Sequence, residues 1–165
     1  MSISTETERK FLIALPEKTF LDALDFSEIV QTYLQSEKGV TERVRMRSKH
    51  GAVRYTHTKK VRISPMSSTE NEREIEKSEY LSLLTRTDKA RSPVYKTRYL
   101  LRENGFLFEI DVYPFWKKQA VMEVELPSED TFVEMPREIR ILCEVTGDHR
   151  YSNASIALAV PPEIQ

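Results

Sequence analysis

The chain has 165 residues, one cysteine, and 25 Lys and Arg against 26 Asp and Glu, for a net charge of −1. It is long enough for one domain, expected over 1–165, to bury a real core, and the missing basic excess disfavours a general nucleic-acid partner. The lone Cys143 excludes an internal disulfide, and "MSISTETERK" has no apolar segment of a signal peptide, so a soluble cytoplasmic protein is expected.

In chain order, the opening "TETERKFLI" alternates as a strand but carries Glu6, Glu8 and Lys10 on one side. "LPEKTFLDAL" reads as a helix, with Pro16 near its start and Phe20 and Leu24 at helical spacing. Period-two stretches follow at 28–36, 41–49, 52–61, 70–77, 94–102, 105–113 and 119–127. "KHGA" at 49–52 and "ENGF" at 103–106 read as hairpin turns, since Asn-Gly accepts the positive φ angles of a type I′ turn. A helix is expected from Ser78, with Leu81 and Leu84 on one side, and a last one from Ser152 or Asn153, stopped by Pro161 and Pro162. Short strands joined by tight turns predict an α+β fold whose antiparallel sheet curls or closes, with few helices.

The charges on these strands are sorted by sign. One face carries Arg43, Arg45 and Arg47; another Tyr55, His57 and Lys59; a third Glu72, Glu74 and Glu76. Lys96 and Arg98 share a face, as do Glu109 and Asp111, and Glu123 and Glu125. A half-buried strand can simply show its charges to water. Solvent faces usually mix their polar types, however, and like charges near one another destabilise a sheet unless an opposite charge lies between them. A sheet closed with this face inward would let bases grip a polyanion and acids hold divalent cations.

These residues, in this order, resemble the CYTH or triphosphate tunnel metalloenzyme family. Its E-x-E-x-K strand is matched by Glu6-Thr7-Glu8-Arg9-Lys10. Then come the R-x-R pair Arg43 and Arg45, Lys59, the E-x-E pair Glu74 and Glu76, the K-x-R pair Lys96 and Arg98, "EIDVY" with Glu109 and Asp111, and "EVEL" with Glu123 and Glu125. The closing "EVTGDHRYSNASIA" resembles the family's C-terminal signature. The resemblance implies a closed antiparallel barrel of about eight strands with helices outside, triphosphate in its tunnel, and acids binding divalent metal. Three positions depart: Cys143 precedes Glu144 where a lysine is frequent, Arg73 is out of phase with Glu72 and Glu74, and His57 stands where threonine is common.

The implied function is hydrolysis of inorganic or a small organic triphosphate with Mg²⁺ or Mn²⁺. The resemblance assigns metal to Glu6, Glu8, Glu74, Glu76, Asp111, Glu123 and Glu125. It assigns phosphate to Lys10, Arg43, Arg45, Lys59, Lys96 and Arg98. Glu6, Glu8 and Lys10 are the catalytic candidates, with Lys10 orienting the nucleophile or pairing with the acids. Two alternatives stand beside it: a class IV-type adenylyl cyclase, for which no nucleoside pocket can be identified, and a non-catalytic polyphosphate- or nucleotide-binding module, which would not need the acids.

Other chemistries fit less well. His50, His57 and His149 are scattered without zinc spacing, and there is no G-x-x-x-x-G-K-[ST] loop. "TGDHRYSN" reads as a capped turn rather than a nucleophile triad, Trp116 as a loop anchor, and Cys143 as a small core residue.

Overall fold

The computed structural model describes residues 2–164. In chain order it comprises β1 (Ser2–Ala14), α1 (Lys18–Asp22), β2 (Asp25–Tyr33), β3 (Val40–Lys49), β4 (Ala52–Arg62) and β5 (Ser67–Ile75), then α2 (Lys77–Leu83), β6 (Val94–Glu103), β7 (Phe106–Val112), β8 (Gln119–Leu126), β9 (Ile141–Glu144) and α3 (Asn153–Ile156). The strands form one antiparallel sheet in the order β5-β4-β3-β2-β6-β7-β8-β1-β9, and a β5–β1 pairing closes eight of them into a barrel. The expected α+β closed barrel is therefore what the chain builds.

The long opening strand makes closure possible. Residues 2–7 of β1 pair with β5, while residues 7–14 pair with β8, so one strand bridges two staggered neighbours. The edge left free beyond β5 is covered by β9 on Phe11, Leu12 and Ile13. Both expected hairpins form: His50 and Gly51 have φ of 49° and 77°, and Asn104 and Gly105 have 54° and 79°. These pairs suit residues that tolerate the left-handed region.

Apolar side chains pack on both sides of the sheet. Phe11, Phe108, Ile110, Met122 and Val124 point outward and form the main core with Leu21 of α1 and Ile139 of the 127–140 segment. Leu12, Tyr33, Val94, Tyr113 and Val121 have the opposite parity and fill the lumen where β1 ends. Trp116, Tyr151 and Ile156 complete that plug, with Tyr113 Oη donating to Asn153 Oδ1 at 2.7 Å and Trp116 Nε1 to the Pro161 carbonyl at 2.9 Å. Trp116 is thus an anchor, as expected. A third cluster, Leu34, Val44, Ile75 and Tyr80, fixes α2 against β3 and β5.

Some boundaries and faces differ from expectation. The acidic strand spans Ser67–Ile75 rather than 70–77, and α2 starts from Glu76 at its N-cap position. In α2 it is Tyr80 that is buried, whereas Leu81 is exposed, because the helix docks through the Tyr80 ring on Tyr55. Cys143 is exposed on β9 rather than a core residue, since β9 is short and covers β1 with only part of its own surface.

Candidate active site

Within the barrel lies a polar cavity of about 730 Å³, opening beside the β2–β3 connection and the C-terminal turn. The charged side of β1 is explained here: Glu6, Glu8 and Lys10 line the cavity, whereas Phe11 and Ile13 pack outside. Acids form one wall, with Glu6 and Glu8 from β1, Glu70 and Glu72 from β5, and Glu123 and Glu125 from β8. Arg43 and Arg45 of β3 and Arg98 of β6 supply the bases facing them.

Burial in a shared space perturbs these groups. Glu6 is raised to about 7, by burial first and then by the charge of Glu70. Glu8 is also raised to about 7, chiefly by the charge of Glu123 and then by burial. Glu123 behaves oppositely: burial would raise it, but Lys10 and Arg98 hold it at about 2, and Lys10 Nζ lies 3.1 Å from its carboxylate. Lys10 Nζ also donates to the Tyr151 carbonyl at 3.3 Å. Lys60 reaches Glu70 at 2.8 Å and Glu8 at 3.9 Å.

On the basic wall Gln31, fully buried, accepts from Arg45 Nη2 at 2.7 Å and donates to Tyr33 Oη at 3.1 Å. Arg45 is pushed down to about 9, by burial and then by Arg43 and Arg98. The Nε groups of Arg43 and Arg45 are buried without a hydrogen-bond partner among the described residues. Unpaired buried donors are costly, and a bound anion would satisfy them.

Asp111 lies deeper still. Its oxygens accept from Arg98 Nε at 2.7 Å, Arg98 Nη2 at 2.8 Å and Lys96 Nζ at 2.7 Å. Arg98 Nη1 also donates to Glu109 at 2.7 Å. Two cations hold Asp111 well below the usual carboxylate range against the penalty of burial. Lys96 is pushed down to about 7, by burial first and then by Arg98. Asp111 therefore accepts three hydrogen bonds from Lys96 and Arg98 and orients both.

Three further candidates fall elsewhere. Lys59 is exposed on the outer face, and Lys60 is the lysine of β4 that lines the cavity. Neighbouring lysines make both parities of β4 look alike; the choice is made by Tyr55, which turns outward onto Tyr80 with ring centroids 4.7 Å apart. His57 follows Tyr55 outward and lies 2.8 Å from Glu42, so Thr58 faces in and donates to Glu72. Glu74 has lumen parity but sits at the exposed far mouth, 3.3 Å from Arg54. Glu76 lies past the strand at the N-cap of α2. The E-x-E pair inside the cavity is Glu70 and Glu72. Their spacing was visible in "TENEREIE", but the acidic run allowed a frame four residues later. Arg73, out of phase, pairs outside with Glu79.

Among the described residues, Glu6, Glu72 and Glu125 of the acidic wall have no cationic partner within ion-pair distance, and Glu8 has only a distant one. Oxygen-only donors, with the proton affinity of Glu6 and Glu8 raised, suit a hard divalent cation. Among the described residues no three acidic, His or Cys side chains already converge as a metal-holding group. The fit therefore rests on donor chemistry.

A closed barrel with facing acidic and basic walls defines a class, the anion-binding tunnel. No protein-family model matches the chain. It is 34% identical over 163 residues to an inorganic triphosphatase of Nitrosomonas europaea, spanning 95% of this chain and 99% of that one. A crystal structure of an inorganic triphosphatase aligns at 32% identity and TM-score 0.60, covering 96% of this chain and 98% of the other. A Pyrococcus horikoshii protein, 18% identical, shares the fold at TM-score 0.56 over 74% of this chain and 80% of its own. The chain belongs to the CYTH, or triphosphate tunnel metalloenzyme, family.

Proposed function

We propose that the protein hydrolyses inorganic triphosphate to pyrophosphate and orthophosphate with the help of Mg²⁺ or Mn²⁺. The observation that carries this reading is the pair of buried, unpartnered arginine Nε groups facing carboxylates whose proton affinity is raised. Donors of that kind call for an anion, and acids of that kind call for a cation. The similar inorganic triphosphatase supports the choice of substrate.

In this reading Arg43 and Arg45 grip phosphate oxygens through N–H groups that nothing else occupies. Planar guanidinium suits two oxygens of one phosphate, and fixed positive charge stabilises what develops on the leaving pyrophosphate. Gln31 holds Arg45 in register, and Asp111 holds Arg98 and Lys96. Lys60 turns toward the acids and screens Glu8 from Glu70. Glu6, Glu8 and Glu125 are the groups that would hold the divalent cation, with Glu70, Glu72 and Glu123 around them. When bound, such a cation neutralises phosphate oxygens and makes a water more acidic. Lys10, fixed by Glu123 and the Tyr151 carbonyl, stands among these acids, where an ammonium can orient an attacking water or a terminal phosphate oxygen.

The test is a product assay with inorganic triphosphate, ATP and thiamine triphosphate. Orthophosphate should be released from inorganic triphosphate at least as well as from the others, and release should cease in EDTA. Cyclic AMP and pyrophosphate from ATP, with inorganic triphosphate untouched, would overturn the reading.

A further inference from the structure

The barrel wall is interrupted beside the acids of β1. On the edge of β1 opposite β8, pairing with β5 ends at Thr7 and pairing with β9 begins at Phe11. Between them β1 meets two turns rather than a strand: Glu8 N donates to the Met66 carbonyl at 2.9 Å, and Lys10 N to Thr146 Oγ1 at 2.9 Å. The two turns touch at Gly147, where a Cβ would lie 2.7 Å from that of Pro65. Glycine lets them close over the gap.

At this gap lies a side cavity of about 20 Å³, which adjoins the main one at Glu8, Lys10 and Lys60. A buried water needs roughly 10–15 Å³ and about two to four polar partners, so the space suits a single water. Ser68 lines this cavity and is 6% exposed. The hydroxyls of Ser67 and Thr146 beside it are engaged by Glu129 and Glu144, at 3.0 and 2.8 Å. Among the described residues Ser68 Oγ meets no such partner and faces the side cavity.

In phosphoryl transfer the attacking and leaving oxygens lie roughly in line through phosphorus. In the reading above the leaving pyrophosphate rests on Arg43 and Arg45, and the terminal phosphoryl group is turned to the acids. The attacking oxygen must then approach from the acidic side, and the gap beside Glu8 and Lys10 opens there.

We propose that the side cavity is the site of the attacking water, held by Ser68 Oγ. The proposal rests on the hydrolase reading above. The water oxygen bonds to the terminal phosphorus and the adjacent P–O bridge bond breaks. Pyrophosphate leaves with the bridging oxygen, and the water's proton passes to solvent.

The experiment is steady-state kinetics with inorganic triphosphate on the native chain, Ser68→Val and Ser68→Thr, two substitutions of nearly equal size. Ser68→Val should lower kcat about tenfold, the worth of roughly one hydrogen bond, with KM within about twofold, and Ser68→Thr should recover most of it. Product analysis in aqueous methanol adds a readout of where the nucleophile sits. The native chain should yield orthophosphate alone, because the cavity is too small for methanol. Ser68→Ala frees the space of one oxygen and should also yield methyl phosphate, the methanol proton passing to solvent. An unchanged kcat in Ser68→Val, or methyl phosphate from the native chain in the same proportion as from Ser68→Ala, would overturn the water site alone. A raised KM with unchanged kcat would put Ser68 on the substrate and would also overturn it. If Ser68→Val fails to fold, the methanol products decide. Failure of the native chain to release orthophosphate from inorganic triphosphate would overturn the hydrolase reading itself.

Discussion

Glu6 and Glu8 set the protein's behaviour with pH. Both take up protons in the folded state near pH 7 rather than near 4.5, so between those values the folded metal-free chain holds more protons than the unfolded one. Linkage then requires stability to fall as pH rises from about 4.5 to about 7. Glu123 has the opposite sign: its contribution is present above pH 4.5 and is lost as pH falls toward about 2. Denaturant melts of the EDTA-treated protein should therefore show declining stability between pH 5 and about 7. Mg²⁺ should reverse the decline, because a cation removes the repulsion that raises these groups. A flat profile in EDTA would contradict the clustering of the acids. Asp111 offers a second check. Asp111→Ala leaves Lys96 and Arg98 buried without their shared acceptor, and urea melts should show a loss of about 3–5 kcal/mol, the usual cost of breaking a buried ion pair.

The element that separates expectation from structure most sharply is β4. Lys59 and Lys60 are adjacent, so a one-residue choice of face exchanges a solvent lysine for a cavity lysine. Lys59→Ala should leave the kinetics for inorganic triphosphate within about twofold, because exposed single charges contribute little. Lys60→Ala should cost about tenfold or more in kcat/KM, the worth of roughly one charge-assisted hydrogen bond. Equal effects of the two would mean that β4 presents its other face. Glu72→Gln and Glu74→Gln form the same kind of pair on β5, with the larger loss expected at Glu72 inside the cavity. On β7, Phe108 has no exposed surface and joins the sheet to the outer core. Phe108→Ala should lower stability by about 3–5 kcal/mol in denaturant melts while leaving the lumen's charges in place.

For the molecule as a whole, closure is what makes separate charged strands into a site. The acidic wall comes from β1, β5 and β8, and β5 and β8 meet only through β1. A divalent cation binding there would couple metal to barrel stability. Mg²⁺ or Mn²⁺ should raise the melting temperature of the native chain, and Glu6→Gln should abolish both that increase and most activity while the barrel stays folded. An undiminished increase in Glu6→Gln would remove Glu6 from the metal site. While the closed barrel was implied by the family resemblance, the sequence by itself determined the turn-linked antiparallel strands, both hairpin turns, the sorting of charge by strand, and the shared parity within Glu6, Glu8 and Lys10 and within Arg43 and Arg45. Those features follow from local turn chemistry and period-two spacing, which act within a few residues. Only the tertiary structure decided that Lys60 rather than Lys59 faces in, and that Glu70 and Glu72 rather than Glu74 and Glu76 reach the cavity. It also decided that Asp111 serves Lys96 and Arg98 and that Cys143 is exposed. Those outcomes depend on long-range pairing: Tyr55 meets Tyr80 of α2, β5 takes its register from β1 as well as β4, and Asp111 meets cations from a neighbouring strand. Period two leaves each such alternative locally equivalent, and packing across the sheet removes the degeneracy.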